Sequence, residues 1–151
     1  MAKSSEPDQP SDRRARGKDV RRKVLGDAHV SRAEGAKGTF DAPFQDLITE
    51  GAWGTVWASD AIPARERSML TLALLAALGN VEELEMHLRA TARTGASRED
   101  VREAFMHVAI YAGVPRANRA FAIAREVFAT MDEEAPSDED VRTRPRESAD
   151  G

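Results

Sequence analysis

Glu83 and His87 stand four residues apart in the segment NVEELEMHLRATARTG, residues 80–95. On an α-helix that spacing puts the two side chains about 40° apart, on one face. A carboxylate one turn before an imidazole can orient the ring and raise its basicity. An imidazole titrates near neutrality, so the pair could hold and deliver a proton. The apolar stripe of the same segment is Val81, Leu84, Leu88 and Ala92, which sets His87 at the edge of a core, half sheltered. The spacing also fits a structural arrangement. Asn80 and Glu83 have the separation of a capping box. A Glu–His pair four apart on a helix stabilises it by only a few tenths of a kcal/mol.

Other residues could serve an acidic substrate. Arg65 and Arg67 in RERS open an apolar helix, where guanidinium forks could clamp a carboxylate or make surface ion pairs. Arg89 follows His87 by two positions and is a third candidate. Trp53, Trp57 and Tyr111 could wall a pocket or be plain core. His29 and His107 each fit a structural role, and His29 is also a candidate substrate contact. Three scattered histidines without paired spacing make a poor metal site, and no metal is expected. There is no HExxH, GxSxG, phosphate loop or dinucleotide fingerprint.

The chain has 151 residues and no cysteine, which excludes disulfides, thiolate nucleophiles and Cys-rich metal sites. No signal peptide is visible, and the longest apolar run, residues 69–78, is about half a membrane span. A cytoplasmic protein without membrane partners is expected. Residues 1–23 carry a net +4 and residues 132–151 a net −5. Both ends are poor in large apolar residues, so residues 1–18 and 133–151 are expected to be disordered tails around a single helical domain at 19–132. The basic arm is interrupted by acids and lacks aromatic residues, so no nucleic-acid partner is expected.

The elements that must position the candidates are helical; no strand pattern persists. Helical spacing and punctuation predict a first helix over residues 19–32 and a second from Asp41 through Trp57. A third follows Pro63 and ends at Gly79. A fourth starts at Asn80 and ends at Gly95, a fifth runs from Ser97 to Gly113, and a sixth opens at Pro115. The third and fifth are apolar on nearly every side, so a homo-oligomer is expected to cover what a single chain leaves open.

VLGDAHVSRA, FQDLITEGAWGTVW and the long run from Arg65 to Val127 closely resemble the gamma-carboxymuconolactone decarboxylase family. The resemblance spans residues 21–128. It implies an all-α, single-domain fold of about six helices shared with alkylhydroperoxidase D-like proteins, assembled as trimers or hexamers. In peroxidase relatives a Cys-x-x-Cys precedes a histidine by four residues. If that histidine matches His87, the cysteine positions hold Asn80 and Glu83, and the peroxidase's upstream glutamate falls at Ser68. That redox chemistry is absent here. Glu50-Gly51 stands where the family often has a basic and an aromatic residue.

The activity implied by the resemblance is decarboxylation of gamma-carboxymuconolactone, a lactone dicarboxylate, to beta-ketoadipate enol-lactone in the protocatechuate branch of the beta-ketoadipate pathway. The electron pair left by CO₂ spreads into the lactone carbonyl as a dienolate, so no cofactor is expected. His87 would protonate the dienolate, with Glu83 orienting it. Arg65, Arg67 and Arg89 would hold carboxylates, and Trp53, Trp57, Tyr111 and His29 would line the pocket. Two other readings compete. One is the same fold acting on another lactone or polyketide-like acid as decarboxylase, isomerase or cyclase. The other is a non-catalytic helical oligomer binding partners through its tails.

Overall fold

A computed structural model describes residues 9–136, all helix and connecting turns with no strand. Seven α-helices and one π-helix follow in order: α1 (Pro10–Leu25), α2 (Asp27–Gly35), α3 (Ala42–Ile48), the π-helix (Thr49–Val56), α4 (Ala64–Leu78), α5 (Val81–Thr94), α6 (Arg98–Tyr111) and α7 (Val114–Glu134). No helix among the described residues is long and apolar enough to cross a membrane.

Helices α4 to α7 enclose the larger core, built on Leu72, Leu84, Leu88, Phe105 and Ile123, with Phe121 edge-on to Phe105. A smaller core joins Val24 and Leu25 of α1, Val30 of α2, Trp53 of the π-helix and Ala90 of α5. Helix α5 belongs to both. Its Leu84 and Leu88 face the first core, and Met86 and Ala90 face the second.

The N-terminal tail expected over residues 1–18 is corrected from Pro10 onward. Pro10 occupies the first turn of α1, where its missing N–H costs no bond, and the helix runs unbroken to Leu25. Its polar sequence is ordered by close packing on the π-helix. A Cβ on Gly17 would fall 2.1 Å from the Thr49 carbonyl oxygen, and a Cβ on Gly54 would fall 2.1 Å from that of Arg13. Arg16 donates from Nε and a terminal nitrogen to the Gly54 carbonyl, at 3.1 and 2.9 Å. The expected first helix is two helices, because Gly26 at φ 88° turns the chain between α1 and α2. Helix α7 continues through Glu134, past the boundary at 132. Residues 1–8 and 137–151 of the expected tails lie outside the described residues.

Two further differences are local. The single expected helix from Asp41 to Trp57 widens after Ile48 into the π-helix, where Trp57 N–H reaches back five residues to Ala52. Asn80 precedes α5 without a side-chain cap, so the capping box with Glu83 does not form. A capping box does form at α6, where the Ser97 hydroxyl accepts the Asp100 N–H and the Asp100 carboxylate accepts that of Ser97.

Helices α4 and α6 pack against each other and leave apolar faces open. Leu70, Leu74 and Leu78, four apart along α4, are 57 to 66% exposed, and Met106 and Ile110 on α6 are also open.

Candidate active site

His87 projects from α5 at the seam between the two cores and is 6% exposed. Its imidazole lies nearly parallel to two indoles. The ring centroid is 6.1 Å from that of Trp53 and 5.8 Å from that of Trp57, with interplanar angles of 11° and 17°. The two indoles stack on each other at 5.5 Å. Trp53 lies within the π-helix and Trp57 caps its C-terminal end, so both indoles come from one element. π-Helical turns occur often at functional sites.

Nδ1 of His87 is buried and has no hydrogen-bond partner. Burial away from water disfavours the charged ring, and the nearby His29 adds repulsion. Together they push the His87 pKa down to about 4. His87 therefore rests as a neutral imidazole with one ring nitrogen unsatisfied. A buried polar atom of this kind calls for a ligand or a partner.

The Glu83–His87 pair is not formed. Glu83 is exposed and makes no hydrogen bond or ion pair among the described residues, whereas His87 turns into the tryptophan stack. One helical turn separates them in sequence, but the ring is drawn inward by burial and aromatic contact while the carboxylate keeps its hydration.

The arginines separate in the same way. Arg65 is committed to Asp100, with Nε and a terminal nitrogen 2.8 and 2.5 Å from the two carboxylate oxygens. That pairing, with the Ser97 N–H, holds the Asp100 carboxyl well below the usual carboxylate range. Arg67 donates to the Ser59 carbonyl at 3.1 Å. Tyr111 is 85% exposed and stacks on His107 at 6.0 Å, on the open face of α6. None of these three joins the His87 cluster.

Arg89 and His29 do converge, on a cavity of about 330 Å³ between α2, α5 and the end of α7. Sequence reasoning passed over two other members, Arg32 and Arg93. The available signal was spacing: Arg32 follows His29 by three residues on α2, and Arg93 follows Arg89 by four on α5, so each pair shares a helix face. Arg89 is bonded to Glu134 at 2.9 Å. Leu25 and Met86 line the cavity and also pack in the core that holds Trp53 and Trp57. His29 is half-buried; burial, Arg32 and Arg21 lower its pKa. Glu50, at the position that departs from the family pattern, is held by Arg14 of α1 at 2.8 Å.

Comparison with known proteins agrees with this architecture. The family model described as "Carboxymuconolactone decarboxylase family" matches residues 42–126, which span α3 to most of α7. The chain is 42% identical over 112 residues to 4-carboxymuconolactone decarboxylase of Acinetobacter baylyi, covering 74% of this chain and 84% of that protein. It is 37% identical over 112 residues to nitrosuccinic acid decarboxylase npaB of Metarhizium robertsii, covering 74% and 78%. An uncharacterized 15.0 kDa protein of Paracoccus denitrificans is 27% identical over 84 residues, covering 54% and 63%. The chain belongs to the carboxymuconolactone decarboxylase family.

Proposed function

We propose that this chain is a cytoplasmic carboxy-lyase that converts 4-carboxymuconolactone to beta-ketoadipate enol-lactone without a cofactor. The observation that carries the reading is the buried, unpartnered Nδ1 of His87 beside two indole faces. The similarity to the Acinetobacter enzyme names the substrate.

In the reaction, the bond between the ring carbon and its carboxylate breaks and CO₂ leaves. The electron pair passes through the ring double bond into the lactone carbonyl. The resulting dienolate takes a proton on the carbon next to that carbonyl. The substrate is its own electron sink, so the protein's work is positioning, exclusion of water and proton supply. Trp53 and Trp57 exclude water from His87. The bound acid brings negative charge to an imidazole held neutral by burial, offsetting the desolvation and allowing the ring to gain a proton. His87 then gives that proton to the dienolate. General acid catalysis of this kind supplies about 10² to 10⁴ in rate. Glu83, hydrated and apart, has no part in it.

A second substrate is favoured by one finding, the similarity to nitrosuccinic acid decarboxylase. A nitro group next to the departing carboxylate takes up the electron pair as a carbonyl does, so the same proton donor serves. Purified protein given each acid in turn, with CO₂ release followed, tests the reading. Release from 4-carboxymuconolactone supports it; release from nitrosuccinate alone transfers the reading to the second acid; release from neither overturns both.

The same proposal includes a homo-oligomer, a trimer or hexamer, in which a second copy covers the open faces of α4 and α6. Their exposed leucines and Ile110 are large apolar side chains on two helices that pack against each other, the kind of surface that a second copy covers. Light scattering should give a mass several times the 16.5 kDa chain. Leu74→Glu should reduce it; a wild-type mass of one chain contradicts the assembly.

A further inference from the structure

Arg32 and Arg93 face the cavity between α2, α5 and α7 without an ionic partner among the described residues. This sets them apart from Arg65 and Arg89, whose guanidiniums are bonded to carboxylates. Three guanidiniums and the single carboxylate of Glu134 face this space, which leaves an excess of positive charge. A guanidinium stays charged at any physiological pH and presents a planar fork of donors that matches a carboxylate.

The Arg93 guanidinium packs against the backbone at Gly26. Gly26 sits at φ 88°, and a Cβ there would fall 2.6 Å from a terminal nitrogen of Arg93. The glycine therefore serves twice, turning the chain from α1 into α2 and leaving room for the guanidinium against its bare Cα. From that turn α2 carries His29 and Arg32 into the same cavity. The volume, about 330 Å³, lies in the range of small-ligand sites. The walls are mixed: Leu25 and Met86 supply apolar surface, and the basic side chains supply charge.

We infer that this cavity is the carboxylate-binding half of the site, with Arg32 and Arg93 gripping the acid and His29 placed between it and the His87 stack. The inference rests on the decarboxylase reading and deepens it. It moves substrate recognition from the start of α4, where the arginines are already engaged, to the turn at Gly26 and the second half of α5. Two unpaired forks facing one small space suit an acid with more than one carboxylate.

The test uses the full chain and adipate, an unreactive six-carbon dicarboxylate, so that binding is read without turnover. Adipate is titrated in while the imidazole Cε1–H resonances of the three histidines are followed by NMR. The expected result is saturable movement of the His29 signal with little change at His107. Arg32→Gln and Arg93→Gln should each weaken binding about fivefold or more, and Arg67→Gln should not. Both substituted side chains are exposed, so circular dichroism should show an unaltered fold. Gly26→Ala should weaken binding in the same direction by displacing Arg93. Equal affinity for adipate in wild type and the double variant overturns the inference, as does movement at His107 alone, absence of saturable binding, or inorganic phosphate binding as tightly as adipate. Failure to release CO₂ from either acid, with the adipate dependence intact, overturns the decarboxylase reading and leaves the carboxylate site standing.

Discussion

The rings of His87 and Trp53 lie nearly parallel and offset, their centroids 6.1 Å apart and their planes within 11° of each other. The contact removes one face of the imidazole from water, and Trp57 stacks on it as well. The neutral resting state of His87 and its unsatisfied Nδ1 both follow from this enclosure.

The enclosure has a consequence for stability. An unfolded histidine titrates near 6.5, whereas folded His87 titrates at about 4. Between those values the unfolded chain binds more protons, so stability falls as pH drops from about 6.5 to about 4. The loss attributable to this group is on the order of 3 kcal/mol at most. Asp100 is depressed and acts lower, its stabilisation vanishing only as pH falls below the ordinary carboxylate range. Urea unfolding at pH 7 and pH 4.5 should show the drop in wild type, and His87→Gln should flatten it. The same slope in both proteins contradicts a desolvated His87.

Opening the stack should release the imidazole. Trp57→Leu removes one indole from His87 and admits water to that side. The His87 pKa should climb from about 4 toward 6.5, measured by NMR titration of its Cε1–H resonance. A value unmoved by the substitution would show that the tryptophan is not what shelters the ring.

The crossing of α1 over the π-helix has no room for a methyl group. Gly17→Ala and Gly54→Ala each drive a Cβ against a backbone carbonyl oxygen, and neither neighbour is a flexible side-chain end. Each should cost about 1 to 3 kcal/mol. Because the π-helix carries Trp53, activity should fall with stability. Thermal unfolding that matches wild type in both variants would show that α1 does not pack as described.

Arg65 is engaged within the fold. Its fork ties the start of α4 to the capping box of α6 through Asp100. Arg65→Met should lower the melting temperature and leave KM unchanged. A raised KM with unchanged stability would return Arg65 to the substrate site.

Much of the scaffold was legible in the chain. Helices α4 to α7 begin and end within a residue or two of their punctuation, because Gly79 and Gly95 take left-handed geometry and Ser97 caps with its side chain. His87, Trp53 and Trp57 were all recognisable as candidates, and the structure brings them together. Two things lay beyond periodicity. The polar composition of residues 10–18 hid a helix whose order comes from glycine-mediated backbone contact with Thr49 and Gly54, a tertiary effect without a local pattern. The partners of charged side chains were equally hidden. Glu83 lies one turn from His87, and Arg65 heads an apolar helix, yet solvent takes the first and Asp100 the second. Arg32 and Arg93 share a cavity only because Gly26 folds α2 back toward α5.

The proton-transfer role of His87 is tested most directly by steady-state turnover of 4-carboxymuconolactone in His87→Gln, with circular dichroism and light scattering alongside. Glutamine keeps a donor in the buried position but has no proton to give. A kcat at least a hundredfold below wild type, with secondary structure and assembled mass unchanged, is the expected result. Wild-type turnover in the variant contradicts it and removes His87 from the chemistry.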